Sequence, residues 1–417
     1  MILEVITQGL QSFNQALLLA FPYFFPISLI LVAWRLWRYY IVRDFLSKQD
    51  WILLEVKLPK EHQKTPKAME VVLGAFYQFP APPTFYDYWW IGKVPLWFSL
   101  EMVSIDGHVH FILRIPKSQK SIIESHIYSQ YPQAELHQVP DYVGGVNYDM
   151  PGSEWSLFGM EHTLVRADAY PIKTYVDYGI DRELLKEEQK VDPLTSTIEF
   201  MGSIGKGEQV WIQIMIMAAQ PRFDKPGTWF QKEDWKGNAK AIIDKMLKRN
   251  IPGVTPLSPS ALTAGEREVV EVIERNISKM GFDCGIRTLY LGKGKSFNPG
   301  NISSLFATFR QYGSVNLNSF KPVRITGLIW WKELLTPPKF PIKLPFWSWE
   351  LAEKKREIFQ AYVHRGYFHS PFKETAPFTL NTEELATIYH FPGAVAETPT
   401  FGRIGSKRSE APVNLPI

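Results

Sequence analysis

No charged side chain occurs between Glu4 and Arg35, and then Arg35, Arg38 and Arg43 follow closely. From Ala16 to Trp34 the run is apolar, about the roughly 20 residues a helix needs to cross a hydrocarbon core. Ala16, Leu17, Leu18, Phe21, Phe24, Phe25, Leu29, Leu31 and Trp34 are predicted to form the membrane anchor. Arg35, Trp37, Arg38, Tyr39 and Tyr40 would lie at the interface, because aromatic rings settle at headgroup level and arginines just beyond it. A cleaved export signal fits poorly: no positive charge precedes the run, and bulky Trp34, Leu36 and Trp37 stand where small residues are needed. Nor does a buried helix of a soluble domain fit well. Pro22 and Pro26 would break it, whereas a membrane tolerates such kinks or a bent span. The positive-inside rule then puts residues 1–13 outside, 14–38 in the inner membrane as a single pass, and the bulk of the chain in the cytoplasm.

Beyond the span the periodicity alternates between strand and helix. WILLEVKL (51–58) alternates apolar and polar, as a strand does. Thr65 and Pro66 open a predicted helix over 65–78, with Met69, Val72, Leu73 and Phe76 on one face. After a Pro-rich loop at 80–83 comes VPLWFSLEMVSIDGHVHFILRIP, two strands around the hairpin signal Asp106-Gly107. A helix over 117–131 stops at Pro132, and AELHQV makes a further strand. This β-α-β-β-α-β order over 51–140 is the ferredoxin-like pattern. A stretched second copy is predicted over 155–330. It has strands or short helices at 171–176 and 195–203, a strand at 210–220, and a Lys-rich helix within 228–249. A helix over 263–280 follows, with Val269, Val270, Val272, Ile273 and Ile277 on its apolar side. Next come a strand at 284–292 and a helix over 299–312 capped by Asn301 or Ser303. Residues 221–238 and 251–260 read as surface insertions. The segment 331–417 is predicted as a Pro-rich connector, a charged helix at 348–363, a helix capped by Asn381 with Glu384 three residues on, and an extended tail. The predicted fold class is α+β: an N-terminal transmembrane helix, two ferredoxin-like (βαββαβ) units and an extended C-terminal segment.

The chain of 417 residues is long enough for two or three domains. Its 14 Trp, 18 Tyr and 27 Phe suit large cores and a membrane boundary. A formal net charge of +4 is too small to call for nucleic acid. The single cysteine, Cys284, excludes an internal disulfide and a multi-cysteine metal site, and reads as a small core residue. GKGKS at 292–296 fails as a phosphate loop, since Leu289 stands where the first glycine is required and Phe-Asn-Pro-Gly follows where a helix should begin. GSIGKGEQ at 202–209 fails similarly. His108 and His110 share a strand face but have no third ligand in the pattern. No Gly-x-Ser-x-Gly elbow occurs, and Lys245, Lys248 and Arg249 read as a solvated helix face. No catalytic, cofactor-binding or metal residue is therefore predicted, and no cofactor.

Several phrases together resemble an uncharacterised bacterial family of membrane-anchored domains: WILLEVKLP, FSLEMVSIDGHVHFILRIP, IESHIYSQYPQAE, PIKTYVDYG, VDPLTSTIEFMGSIGKGEQVWIQI, NTEELATIYHFPG and EAPVNLP. The resemblance covers nearly the whole chain. It implies a region that precedes, on one chain or in a neighbouring gene, a HerA/FtsK-type or coupling-protein-type ATPase of conjugative type IV secretion. It supplies no catalytic residues. The chain has no Walker motif, so the expected partners are the lipid bilayer and a separate P-loop ATPase, with DNA reached indirectly and a homo-oligomer as a further expectation. The expected function is a non-enzymatic scaffold or accessory subunit of a DNA-translocating ATPase. The alternatives are direct nucleic-acid binding through Trp97, Phe98 and Phe111 on a sheet face, and an enzyme with an unrecognised site.

Overall fold

The structure, a computed structural model, describes residues 2–59, 64–78, 83–148, 152–181, 192–224, 228, 232–249, 262–326 and 345–392. The chain divides into two units, Met1–Asp50 with Pro80–Pro95, and Trp51–Phe79 with Leu96–Ile417.

In the first unit, α1 (Ile2–Ser47) runs unbroken through Pro22 and Pro26. It extends past the predicted span at both ends, and the residues expected as a short outward N-terminus are helical from Ile2. A lone Gly9 is no barrier to a helix that carries no internal proline before Pro22. The unit's second element is a π-helical turn, Asp87–Ile91, which ends at Gly92 in a left-handed conformation (φ 75°).

The second unit contains, in chain order, β1 (Trp51–Lys57), α2 (Pro66–Leu73), β2 (Phe98–Ile105), β3 (His108–Pro116), α3 (Lys120–Gln130), β4 (Glu135–Val139) and β5 (Trp155–Leu164). Then come α4 (Pro193–Ser203), β6 (Glu208–Ala218), the short β7 (Phe223–Asp224) and β8 (Lys232–Glu233), α5 (Trp235–Met246) and α6 (Ala264–Ile277). The series closes with β9 (Gly281–Lys293), α7 (Asn301–Ala307), β10 (Phe320–Val323), α8 (Pro345–Val363), β11 (Phe378–Asn381) and α9 (Thr382–Ile388). Nine strands form one antiparallel sheet in the order β10-β5-β9-β6-β2-β3-β1-β4, with β11 added beside β9. The protein is thus a mixed α+β fold with an apolar N-terminal helix and a large antiparallel sheet.

Local chemistry accounts for most of these elements. Asp106 and Gly107 both take positive φ (54° and 85°), as a two-residue hairpin joining β2 to β3 requires. Thr263 with Glu266, and Asn381 with Glu384, form reciprocal capping boxes at the starts of α6 and α9. Asp192 caps α4 through the amide of Leu194, with Pro193 in the first turn. Some expectations require correction. Residues 171–176 form neither the strand nor the short helix expected there, whereas 195–203 takes the helical alternative as part of α4. The first strand of the second half is instead β5. It is buried on both faces, so it shows no apolar–polar alternation to read. The helix expected over 299–312 is only Asn301–Ala307, and Gly300 rather than Asn301 or Ser303 sits at its N-cap. In the C-terminal segment the helices expected at 348–363 and after Asn381 are present as α8 and α9, and an unexpected strand, β11, lies between them in the chain and pairs with β9. The Pro-rich connector at 331–344, the insertion at 251–260 and the tail beyond 392 lie outside the described residues.

Both faces of the sheet are covered. On one, Leu54, Phe111, Ile214 and Ile286 pack beneath α2, α3, α4 and α9. On the other, Leu53, Val103, Trp211 and Leu289 pack beneath Ile358, Phe359 and Tyr362 of α8. Every residue of α9 is buried, so its cap cannot be replaced by water. Asn381 Oδ1 accepts the Glu384 amide at 2.7 Å, and Asn381 Nδ2 donates to Asn276 Oδ1 at 2.6 Å. Replacing Asn381 with alanine should therefore cost about 2 kcal/mol, the upper end of cap losses. The check is the denaturant midpoint of the full chain in mild detergent.

Candidate functional site

In the first unit the C-terminal half of α1 carries a collar. Trp37 Nε1 donates to the Trp89 carbonyl at 2.9 Å, and Arg38 donates to the Tyr88 carbonyl while its guanidinium lies 3.6 Å above the Tyr88 ring. The rings of Trp34 and Trp89 are 4.5 Å apart, and those of Trp37 and Trp90 5.8 Å. Gly92 closes the collar, since a Cβ there would lie 2.4 Å from the Ile41 carbonyl oxygen. Of the predicted anchor residues, Phe21, Phe24, Phe25, Leu29, Leu31 and Trp34 are exposed, while Ala16, Leu17 and Leu18 lie on the same helix. Of the predicted interfacial residues, Trp37 and Arg38 hold the collar, and Tyr39 accepts from Arg43 Nη1 at 3.1 Å. Arg35 and Tyr40 are exposed. Among the described residues, one helix is long and apolar enough to cross a membrane.

In the second unit the chemically loaded feature is a buried row. Glu101 of β2, Gln213 of β6, Arg287 of β9 and Glu161 of β5 stand opposite one another on adjacent strands. All four are wholly inaccessible. Arg287 Nη2 lies 2.7 Å from Glu161 Oε1 and its Nη1 donates to Gln213 Oε1 at 3.2 Å; Gln213 Nε2 donates to Glu101 Oε1 at 3.2 Å. The end of α8 lies over this row. Arg365 donates through Nε to Glu101 Oε1 at 3.0 Å, and through Nη1 and Nη2 to Asp141 at 2.6 and 2.8 Å. The Tyr142 hydroxyl donates to Glu101 Oε2 at 2.8 Å and lies 2.7 Å from the Tyr362 hydroxyl. Thr375 donates to Glu161. The carbonyls of Tyr362 and Gly366 are taken by Gln213 and Arg287, each at 3.2 Å.

Burial alone would raise both carboxyls, but Arg365 beside Glu101 and Arg287 beside Glu161 outweigh it and hold both below the usual carboxylate range. Burial pushes the Tyr142 and Tyr362 phenols well above theirs. The row is a closed set of mutually satisfied charges that fastens α8 to the sheet. It keeps no free acid or base for a substrate. Beside α2 and α9, on the sheet's other face, Lys279 Nζ lies 2.7 Å from both Glu70 and Glu383. Near the start of β9, on the same face as the row, Arg222 bridges Asp168 and Asp283. These pairs are spent in the same way.

The sequence candidates fall into place around these features. His108 is exposed. His110 Nδ1 lies 2.5 Å from Glu55 Oε1, a carboxylate partner on β1 that the histidine spacing gave no sign of. Among the described residues no three His, Cys, Asp or Glu side chains are grouped to hold a metal. Cys284 is buried in β9, and burial raises its thiol well above the ordinary value. GKGKS ends β9 in a tight turn in which a Cβ on Gly292 would meet the Phe297 backbone at 2.5 Å. Trp97, Phe98 and Phe111 are core residues, closed to base stacking.

An exposed apolar helix, long and apolar enough to cross a membrane and collared by aromatics and arginines, and a large two-faced antiparallel sheet locked by buried ion pairs define a mixed α+β protein. Residues 47–402 match the family described as Domain of unknown function (DUF8128), and the chain belongs to that family. No curated protein matches the chain.

Proposed function

We propose that this protein is a non-enzymatic, single-pass inner-membrane scaffold whose cytoplasmic body serves a separate P-loop, DNA-translocating ATPase of the type IV secretion or conjugation kind. The observation that carries the anchor is the collar. A cleaved leader would leave Trp89, Trp90 and Tyr88 without the helix on which they pack. The run of Arg35, Arg38, Arg43 and Lys48 just past the apolar stretch supports a cytoplasmic body. We read the body as two ferredoxin-like units. The support is the twice-repeated element order, with β2-β3-β1-β4 and β6-β9-β5-β10 running outward from the β2–β6 pair. The motor partner rests on the resemblance described above. A body whose buried charges satisfy one another suits a scaffold better than a catalyst.

The full-length chain is expected to stay in the membrane pellet through high salt and alkaline carbonate and to be released by mild detergent. The intact mass of the membrane-bound form should still include the residues before Trp34. A mature chain beginning after Trp37, or recovery in the soluble fraction, overturns the anchor. Affinity purification from detergent-solubilised membranes should enrich a P-loop ATPase, and recovery of the protein without one overturns the motor partnership.

A further inference from the structure

We infer that Phe85–Ile91 is a second membrane contact, a short aromatic foot that lies in the lipid interface beside the point where α1 emerges. This rests on the anchor reading above and adds to it a surface that α1 alone does not provide. Phe85, Tyr86 and Trp90 are 73%, 63% and 57% exposed, and Tyr88 and Ile91 also face solvent. So dense a run of uncovered large side chains exceeds what scattered surface hydrophobics account for. Its place argues for lipid as the occupant. The foot is fixed to α1 at Trp34, Trp37 and Arg38, the level at which the apolar run ends and the arginines begin. Its exposed rings therefore continue the exposed surface of Trp34, Leu36 and Tyr40 into the layer that aromatic side chains prefer.

The backbone is built to hold this position. Thr84 and Asp87 cap one another, the Thr84 amide donating to Asp87 Oδ2 and the Asp87 amide to Thr84 Oγ1, each at 3.1 Å. This ties up the segment's one carboxylate. At the other end the Lys93 amide donates to the Asp87 carbonyl at 2.9 Å, and Gly92 turns the chain against Ile41. A helix crossing a bilayer can rotate and tilt, and interfacial anchors set both. A foot attached to one side of α1 would fix which face of the helix the bilayer surface meets.

The test uses the full-length chain in liposomes whose acyl chains carry bromine near the headgroup end. Single cysteines at Phe85→Cys and Tyr86→Cys carry an environment-sensitive fluorophore. Leu31→Cys is the anchor control, and Ser121→Cys, exposed on α3, is the body control. Buried Cys284 is replaced by alanine to keep labelling single. Labels at 85 and 86 are expected to be quenched comparably to the label at 31 and several-fold more than the label at 121. Quenching at 31 with none above the body control at 85 and 86 overturns the foot and leaves the anchor standing. No quenching at 31 either overturns both readings. Both foot positions are exposed and each is tested alone, so the loss of one variant to misfolding leaves the other to decide.

Discussion

Replacing Arg365 with methionine is expected to destabilise the body by about 3–5 kcal/mol, the range for stripping one partner from a buried ion pair. The loss comes from what is left behind. Glu101 is fully buried, and without the guanidinium the donors left to it among the described residues are Ser99, Tyr142 and Gln213. Asp141 matters less, because its side chain is 41% exposed and can return to water. Arg365 sits at positive φ (50°), and methionine inherits the same strain, so the backbone contribution cancels in the comparison. The sign of the pH dependence should also invert. In the native protein Arg365 holds Glu101 below its ordinary value, so this stability is present above about pH 4.5 and is lost as pH falls. Without Arg365, burial is the dominant influence and raises the carboxyl. The variant should then lose stability as pH rises above the unfolded value. Adding Glu101→Gln should recover most of the loss, since the neutral amide keeps hydrogen bonds to Tyr142 and Gln213. Denaturant unfolding of the full chain in mild detergent reads all three proteins. A single variant within 1 kcal/mol of wild type, or a double variant no better than the single, would show that the pair is not the clasp described.

That clasp was not legible in the sequence, for a definite reason. Glu101, Gln213, Arg287 and Glu161 are single polar residues in strands, and in a one-sided antiparallel sheet such positions face water. Nothing local reveals that α8, far along the chain, covers this face. One hint was available. Trp211 and Met215, the same-face neighbours of Gln213, are large and apolar, which is unusual for a wetted surface. What was legible were features whose chemistry is complete within a few residues: the Asp106-Gly107 hairpin, the Asn381 cap and the uncharged run before Arg35. The aromatic foot lay between these cases. Its composition is plain, but it is too short to show a period, and its meaning comes from Trp34, Trp37 and Arg38, some fifty residues earlier.

The second large effect is expected on acidification. His162 of β5 is buried, with Nε2 3.2 Å from Thr288 Oγ1 and its ring 4.6 Å from Phe309. Burial pulls its pKa down to about 3, although the neighbouring Glu161 acts in the opposite direction. The imidazole is therefore neutral in the folded protein at any pH at which the protein works. The unfolded chain takes up that proton near pH 6.5, while the folded chain does not. Stability is thus lost as pH falls below about 6.5, and the loss continues until pH reaches the folded value near 3. At 1.36 kcal/mol per pH unit, His162 alone should cost roughly 2 kcal/mol by pH 5. Glu161 and Glu101, both held below their ordinary values, add losses of the same sign at lower pH. Replacing His162 with phenylalanine keeps the ring against Phe309 and loses one hydrogen bond, worth about 1 kcal/mol at neutral pH. The variant should start somewhat weaker at pH 7.5, fall less steeply, and match or exceed the wild type near pH 5. The other histidines are common to both proteins and drop out of the difference. The measurement is the unfolding free energy of both full-length proteins at half-unit steps from pH 7.5 to 5. Parallel curves would mean that His162 takes up its proton in the folded state and that the interior around β5 is wetter than the packing described here.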